Sequence, residues 1–201
     1  MKSEMHSLNY VGRLLQLCEL CLAILVPLTA CAEDMKTIQW REEVKLSNGQ
    51  IIIADQTEEY RTKEEALRVG ALFNNYRIQA IFPAPISKTV IWEGHLKPLA
   101  LDIAADGEIY LVMVTQTKQA AREYSPEDGR HVAFKFSGLN QWVRVPVETV
   151  PHDIKPNLLI EMGELFIKQG YPTSKVVDLS LKSKIDSDPR IDRSYRSWST
   201  K

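Results

Sequence analysis

Three apolar stretches, each folded back on itself by a short polar turn, constrain this chain more than any other feature. Glu43-Val44-Lys45-Leu46 and Gln50-Ile51-Ile52-Ile53 flank Ser47-Asn48-Gly49. Asn-Gly between apolar runs is the strongest short-range hairpin signal, because both central positions of the tight turn it favours need φ > 0. A second pair joins Leu99-Ala100-Leu101-Asp102-Ile103 to Glu108–Thr115 through Ala105-Asp106-Gly107. There the alternation of Leu99, Leu101 and Ile103 predicts one buried face. A third joins His131–Phe136 to Gln141–Val145 through Ser137-Gly138-Leu139-Asn140. Two further strands are predicted at Arg77–Phe82 and Thr89–Trp92, separated by Pro83, Pro85 and Ser87.

The expected fold class is therefore mainly β: antiparallel hairpins or a meander, arranged as a sandwich, a barrel or a partial propeller. No period of 20 to 50 residues is sustained. One or two peripheral helices are expected beside the strands. Thr62 with Glu65 three positions later forms a capping box ahead of a helix reaching Phe73. A second helix is predicted from Leu158 to Lys168, apolar at Leu158, Leu159, Met162, Leu165 and Phe166, and stopped by Gly170 and Pro172.

The balance of 25 Lys+Arg against 26 Asp+Glu over 201 residues gives a formal net charge of −1. It supplies no global electrostatic attraction to nucleic acid, and nucleic acid is not an expected partner.

The N-terminus carries information of another kind. Leu14 to Ala30 is an apolar run of 17 residues, preceded by Lys2 and Arg13 and followed at once by Glu33 and Asp34. Gln16 and Glu19 interrupt it, and a charge in hydrocarbon costs roughly 2.5 to 3.5 kcal/mol on insertion scales. A cleaved export signal fits this order of features better than a permanent span. All three cysteines, Cys18, Cys21 and Cys31, fall in this region. The Cys18-Glu19-Leu20-Cys21 spacing lacks the second pair or the histidines that a zinc site needs.

Leu28-Thr29-Ala30-Cys31 resembles the lipobox of bacterial lipoproteins. Membership of that family would imply diacylglycerol transfer to the Cys31 thiol, cleavage between Ala30 and Cys31, and acylation of the new amino group. A small residue before the cut fits a narrow protease site, and a thiolate is the nucleophile that takes the lipid. Two or three acyl chains on one residue anchor a soluble domain far more firmly than the marginal binding of a single chain. Ala32, in place of aspartate, implies sorting to the outer membrane. The body resembles proteobacterial lipoproteins of uncharacterised role, without motifs that carry sites across.

The implied organisation is a signal peptide at residues 1–30, a lipidated linker at 31–37, a β-rich domain at 38–180 and a basic, mobile tail at 181–201. That tail holds Lys182, Lys184, Arg190, Arg193, Arg196 and Lys201 against Asp186, Asp188 and Asp192, a net of +3. Such a segment suits anionic lipid or cell-wall polymer, each basic residue near the surface adding roughly 1 kcal/mol. Tyr195-Arg196 and the terminal Lys201 resemble the end of small enteric lipoproteins joined to peptidoglycan, although no heptads precede them. The expected partners are membrane lipid through acylated Cys31 and an envelope protein or peptidoglycan.

No phosphate loop, dinucleotide-binding glycine motif, nucleophile elbow, SxxK or HExxH occurs in the sequence. No cofactor or metal is therefore expected. His6, His95, His131 and His152 are scattered, and His152-Asp153 beside Pro151 reads as a surface loop. Glu93 with His95, and Glu161 with Glu164, are the carboxylates available for acid–base work; the latter spacing is usual on solvated helix faces. Asp102, Asp106 and Glu108 lack the twelve-residue pattern of a calcium loop. Of the tryptophans Trp40, Trp92, Trp142 and Trp198, most positions read as core, with the indole N–H at the rim. Trp92 and Trp142 are the candidate pair for an exposed aromatic face that would stack on a sugar or a partner.

These features lead to the expectation of a membrane-anchored envelope lipoprotein, non-catalytic, acting as a binding or structural module. The main alternative is a periplasmic hydrolase acting on envelope polymer, which requires a groove with two converging carboxylates. An uncleaved cytosolic or single-span protein is a third reading.

Overall fold

The computed structural model describes residues 35–61, 74–137, 139, 141–159 and 176–186. The lipobox, the helix expected at 62–73, most of that expected at 158–168 and the tail beyond 186 lie outside the described residues.

The described chain is mainly β and forms two sheets. Sheet A takes β1 (Lys36–Lys45), β2 (Ile51–Tyr60), β3 (Asn74–Phe82) and β4 (Lys88–Gly94) as an antiparallel meander. A two-residue strand, β9 (Val176–Val177), is added parallel to β1 at its edge. Sheet B is a second meander of β5 (Lys97–Ile103), β6 (Ile109–Val114), β7 (His131–Phe136) and β8 (Trp142–Val145). Two helices are described, α1 (Lys118–Tyr124) and α2 (Leu179–Asp186), with a 3-10 turn at Val147–Thr149.

Strict alternation explains sheet A. Even-numbered residues point inward on β2 and β3, where Ile52, Ala54, Tyr76, Ile78, Ala80 and Phe82 are all buried. These pack with Leu101, Ile103, Leu111, Met113, Val132, Phe134 and Phe136 of sheet B in one core. The arrangement is thus two sheets packed face to face, and neither sheet closes on itself as a barrel. Each fully buried aliphatic side chain contributes roughly 1.5 to 3 kcal/mol.

Sheet B is buried on both faces along β5 and β6, while its edge strand β8 is half-buried to exposed. Every residue of β5 and β6 is buried, because Val147, Val150 and Ile154 close over Ala100, Tyr110, Val112, Val114 and Ala133. The alternation expected at Leu99, Leu101 and Ile103 is broken. Pro98 pairs with Met113 and Ala100 with Val112, leaving Leu99 as an extra residue in a bulge. A bulge turns the side chains before it to the opposite face. Leu99 consequently joins Ala100 in the outer cluster, while Leu101 and Ile103 face the inter-sheet core.

The hairpins occur where expected, but with a different turn. In the first, Gly49 N–H donates to Leu46 O and Leu46 N–H to Gln50 O, both at 2.9 Å. The Ala104–Glu108 loop repeats this pattern at the same distances. Gly49 and Gly107 share φ of +85°, and Asn48 is not among the positive-φ residues. Both are therefore three-residue loops with glycine alone in the left-handed region, not two-residue turns needing φ > 0 twice.

Neither described helix was expected from the sequence. Helix α1 is capped by Thr117, whose Oγ1 accepts from Ala120 N–H at 3.0 Å, and ends at Ser125 in left-handed geometry. Helix α2 starts where Asp178 Oδ1 accepts from Leu181 N–H at 2.8 Å. The mobile tail expected from residue 181 is thus corrected for residues 181–186, which form this helix. Leu158 and Leu159, expected at a helix start, are buried without helical conformation. The described domain also begins earlier than residue 38, since β1 starts at Lys36.

Candidate functional site

The expected aromatic face is not formed. Trp92 lies on the inward side of β4 at 7% exposure and packs against Phe134, ring centroids 6.3 Å apart. Trp142 is half-buried against Phe136 at 5.0 Å, and its Nε1–H donates to Ile91 O at 2.7 Å. That bond spans from the edge of sheet B to the edge strand of sheet A. Both indoles serve the join between the sheets, and this corrects the idea of a shared stacking platform. Trp40 is buried too, with Ile38, Leu159 and Val177. Ala30 and Cys31 lie outside the described residues.

The polar groups inside the domain fall into several clusters. In the first, Glu42 is fully buried on the inward face of β1. Its carboxylate accepts from Trp40 Nε1–H at 3.2 Å, from Leu159 N–H at 3.1 Å, and from Gln56 Nε2 and Lys182 Nζ. Lys182, itself buried, also donates to Glu43 O at 2.9 Å and to Asn157 O. Asn157 in turn ties the sheets together, donating to Lys45 O at 3.2 Å and Leu101 O at 3.0 Å. Every donor and acceptor has a protein partner, which is the signature of a structural clasp.

A second cluster lies where β5 begins. Lys97 Nζ sits 3.4 Å from Glu58 Oε2 and 5.4 Å from the centre of the Tyr76 ring, with both charged residues buried. Asn74 Nδ2 donates to Glu58 at 3.2 Å and to the Tyr76 hydroxyl at 2.7 Å. The hydroxyl donates to Gln116 Oε1 at 3.1 Å. Burial, reinforced by the charge of Glu58, pushes Tyr76 well above the ordinary phenol range.

Asp102 forms a third node at the far end of β5. Its carboxylate accepts from Ser47 N–H at 2.9 Å, Ser47 Oγ at 3.1 Å and Ile103 N–H at 2.7 Å. It therefore pins the β1–β2 loop to sheet B rather than joining Asp106 and Glu108 around an ion. Asp106 caps its own turn by accepting from Glu108 N–H at 3.0 Å. Burial raises Asp102 despite the bonds from Ser47 and Ile103. A raised carboxyl favours the protonated folded state, so its contribution to stability grows as pH falls through the folded value and levels off below the unfolded one. Asp102→Asn, which keeps an acceptor for Ser47 and mimics the protonated acid, should abolish that pH dependence, match the unsubstituted chain at low pH and be no less stable than it at pH 7. Asp102→Ala should cost about 1–3 kcal/mol by orphaning buried donors. Urea unfolding at several pH values measures both; an unchanged pH slope in Asp102→Asn would show that Asp102 does not cause it.

The histidines are separated. His95 Nδ1 lies 2.7 Å from Glu123 Oε2 on α1, whereas Glu93 accepts from Asn75 at 3.4 Å on the outer face of sheet A. The pairing of Glu93 with His95 is therefore not formed. Burial and the Glu123 carboxylate push the neighbouring Tyr124 hydroxyl up to about 12. His131 Nδ1 lies 2.5 Å from Asp128 Oδ2. Burial alone would raise Asp128; bonds from the His131 and Arg130 amides and the His131 ring outweigh it and lower its pKa. His131 also lines an open cleft of about 210 Å³ with Glu127, Arg144 and Pro146. That cleft brings one carboxylate residue beside a histidine and an arginine, not the converging pair a polymer hydrolase needs. His152 is exposed, and Glu161 and Glu164 lie outside the described residues. Among the described residues no three His, Cys, Asp or Glu side chains are placed to hold a metal ion.

A different surface was missed from the sequence. On sheet A the odd-numbered residues point outward, and Ile51, Ile81 and Ile91 are exposed by 52%, 63% and 47%. Half-buried Ile53 lies among them. Ile91 pairs with Gln79, two residues from Ile81 on the same face of β3. Side chains so related are diagonal neighbours within mutual reach. The signal was present: Ile51-Ile52-Ile53 and Ile81 break the polar half of the alternation that Thr57, Arg77 and Glu93 obey. Comparison with protein-family models, curated proteins and solved structures returns no match for this chain.

Proposed function

We propose that this chain is a lipoprotein of the bacterial cell envelope, held on the bilayer through acylated Cys31 and acting through its β-sandwich as a binding or structural module. One observation supports this reading. The chain divides into two compact units, Met1–Asp34 and Met35–Lys201, so the lipobox and the two sheets belong to different units. The first strand starts at Lys36, five residues after Cys31. Cleavage before Cys31 falls within the first unit, ahead of every described strand. The binding role rests on the outward isoleucines of sheet A, since contiguous exposed apolar side chains mark interaction surfaces. The outer membrane is the destination implied by Ala32.

Metabolic labelling with a palmitate analogue tests the anchor. Label should appear on the unsubstituted chain and be lost from Cys31→Ala, which should also leave the membrane fraction. Label retained on Cys31→Ala would overturn the assignment.

A further inference from the structure

We propose that the open cleft between the α1–β7 loop and β8 binds a small zwitterion, an amino acid or a dipeptide, with its carboxylate on Arg144 and its ammonium on Glu127. The cleft measures about 210 Å³. Sites that enclose drug-sized ligands run to roughly 300–1,000 Å³, so this one suits a ligand of one or two residues. Ala133, Val145 and Val147 line it beside the two charges and continue the outer core of sheet B. Glu127 and Arg144 are both exposed. Among the described residues they form no ion pair with each other, Glu127 accepts no hydrogen bond, and Arg144 donates only to Ser125 O at a long 3.4 Å. The charges around them are matched, Asp128 with His131 and His95 with Glu123.

Both walls are ordered without a ligand. Asp128, next to Glu127, accepts from Arg130 N–H at 2.8 Å and from His131 N–H at 2.6 Å, and lies 2.5 Å from His131 Nδ1. Gly129 N–H donates to Pro126 O at 3.0 Å and Ser125 N–H to Ala121 O at 2.9 Å. On the other wall Thr149 Oγ1 donates to Pro146 O at 2.7 Å, and Val150 N–H to Val147 O at 3.2 Å. A ligand therefore meets walls already held in place, which lowers the ordering cost of binding. The planar fork of a guanidinium matches a carboxylate through two bonds, and an ammonium is a compact point charge that a lone carboxylate can take. A simple anion on Arg144 would sit beside the Glu127 charge, and a simple cation on Glu127 beside Arg144. A molecule carrying both signs satisfies both residues, and that difference sets the selectivity. The aliphatic part of such a molecule covers Val145 and Val147. The site needs neither acylated Cys31 nor the isoleucines of sheet A.

Titration of the full chain in detergent micelles, followed by saturation-transfer difference NMR, tests this with L-alanine and Ala-Ala, each also as its N-acetyl form and its C-terminal amide. At least one free zwitterion should bind with a Kd on the order of 1 mM, and blocking either end should weaken it several-fold. Preference between the two assigns the source, a free amino acid or a peptide, and either supports the site. Arg144→Gln should weaken the preferred zwitterion to the level of its amide and leave the amide unchanged. Glu127→Gln should do the same with respect to the N-acetyl form. Each variant matching one blocked ligand is the mark of a direct pairing, which a general change of surface charge does not produce. Both variants replace exposed side chains and should unfold at the urea midpoint of the unsubstituted chain. Equal binding by free and blocked ligands, binding unchanged in both variants, or no signal from either zwitterion at about 10 mM would overturn the site. A chain that takes palmitate yet binds neither zwitterion refutes the cleft alone. One that binds but takes no palmitate refutes the anchor and leaves the cleft in place.

Discussion

Lys182→Met should destabilise the folded chain by about 3–5 kcal/mol, because it strands the fully buried Glu42 carboxylate without its cation. Trp40, Gln56 and Leu159 would still donate to Glu42, but none supplies charge. The methionine would also leave Glu43 O and Asn157 O without the ammonium that now joins them. Adding Glu42→Gln to Lys182→Met should recover much of the loss, since a buried pair replaced as a whole costs far less than one broken in half. Urea denaturation of the two variants gives the comparison directly, provided the m-value stays constant. A loss below about 1 kcal/mol for Lys182→Met would mean that water reaches Glu42 when α2 is released, and that the clasp is not closed in solution.

This clasp also shows where sequence reading stopped. Lys182 sits in a stretch whose composition is that of a solvated basic tail, and its partner is 140 residues away. Nothing local marks it as buried. Glu42 was more legible: on β1 it shares the inward side with Ile38, Trp40 and Val44, so a carboxylate there demands an internal partner. The periodicity of β1 holds the signal that a charge is buried, although that inference was not drawn from the sequence; only the fold shows what neutralises it. The three hairpins, by contrast, were readable because their turn residues and flanking apolar runs are contiguous. The bulge at Leu99 was not, since it depends on how Pro98 and Ala100 meet β6.

The exposed apolar face was misplaced for a related reason. Trp92 and Trp142 drew attention as large aromatics, yet residue size does not reveal which face of a strand a side chain occupies. Trp92 falls in phase with buried Val90, and Ile91 between them faces outward. Reading the phase of β4 together with β2 and β3 would have pointed to the isoleucines. Their exposure is an exception to the alternation that the rest of sheet A follows, and exceptions to local rules concentrate where function is placed.

Lys97→Met carries the other large expected effect, again about 3–5 kcal/mol, for a cluster of different design. Glu58 and Lys97 are both buried, but they meet at 3.4 Å rather than in a short contact, and the ammonium gains a second stabilising contact from the Tyr76 ring. Without Lys97, Glu58 is left with the neutral Asn74 amide, beside a phenol that burial first, and the Glu58 charge second, hold protonated. Glu58→Gln in the same chain should restore most of the stability, since a neutral amide can still accept from Asn74. Tyr76→Phe should cost less, about 1–3 kcal/mol, through the lost bridge between Asn74 and Gln116. If Lys97→Met and the double variant unfold at the same urea concentration, the loss is one of packing by the lysine stem, and the ion pair contributes nothing measurable. The ranking Lys97→Met below Tyr76→Phe below the double variant, in unfolding midpoint, is what a buried charge pair requires.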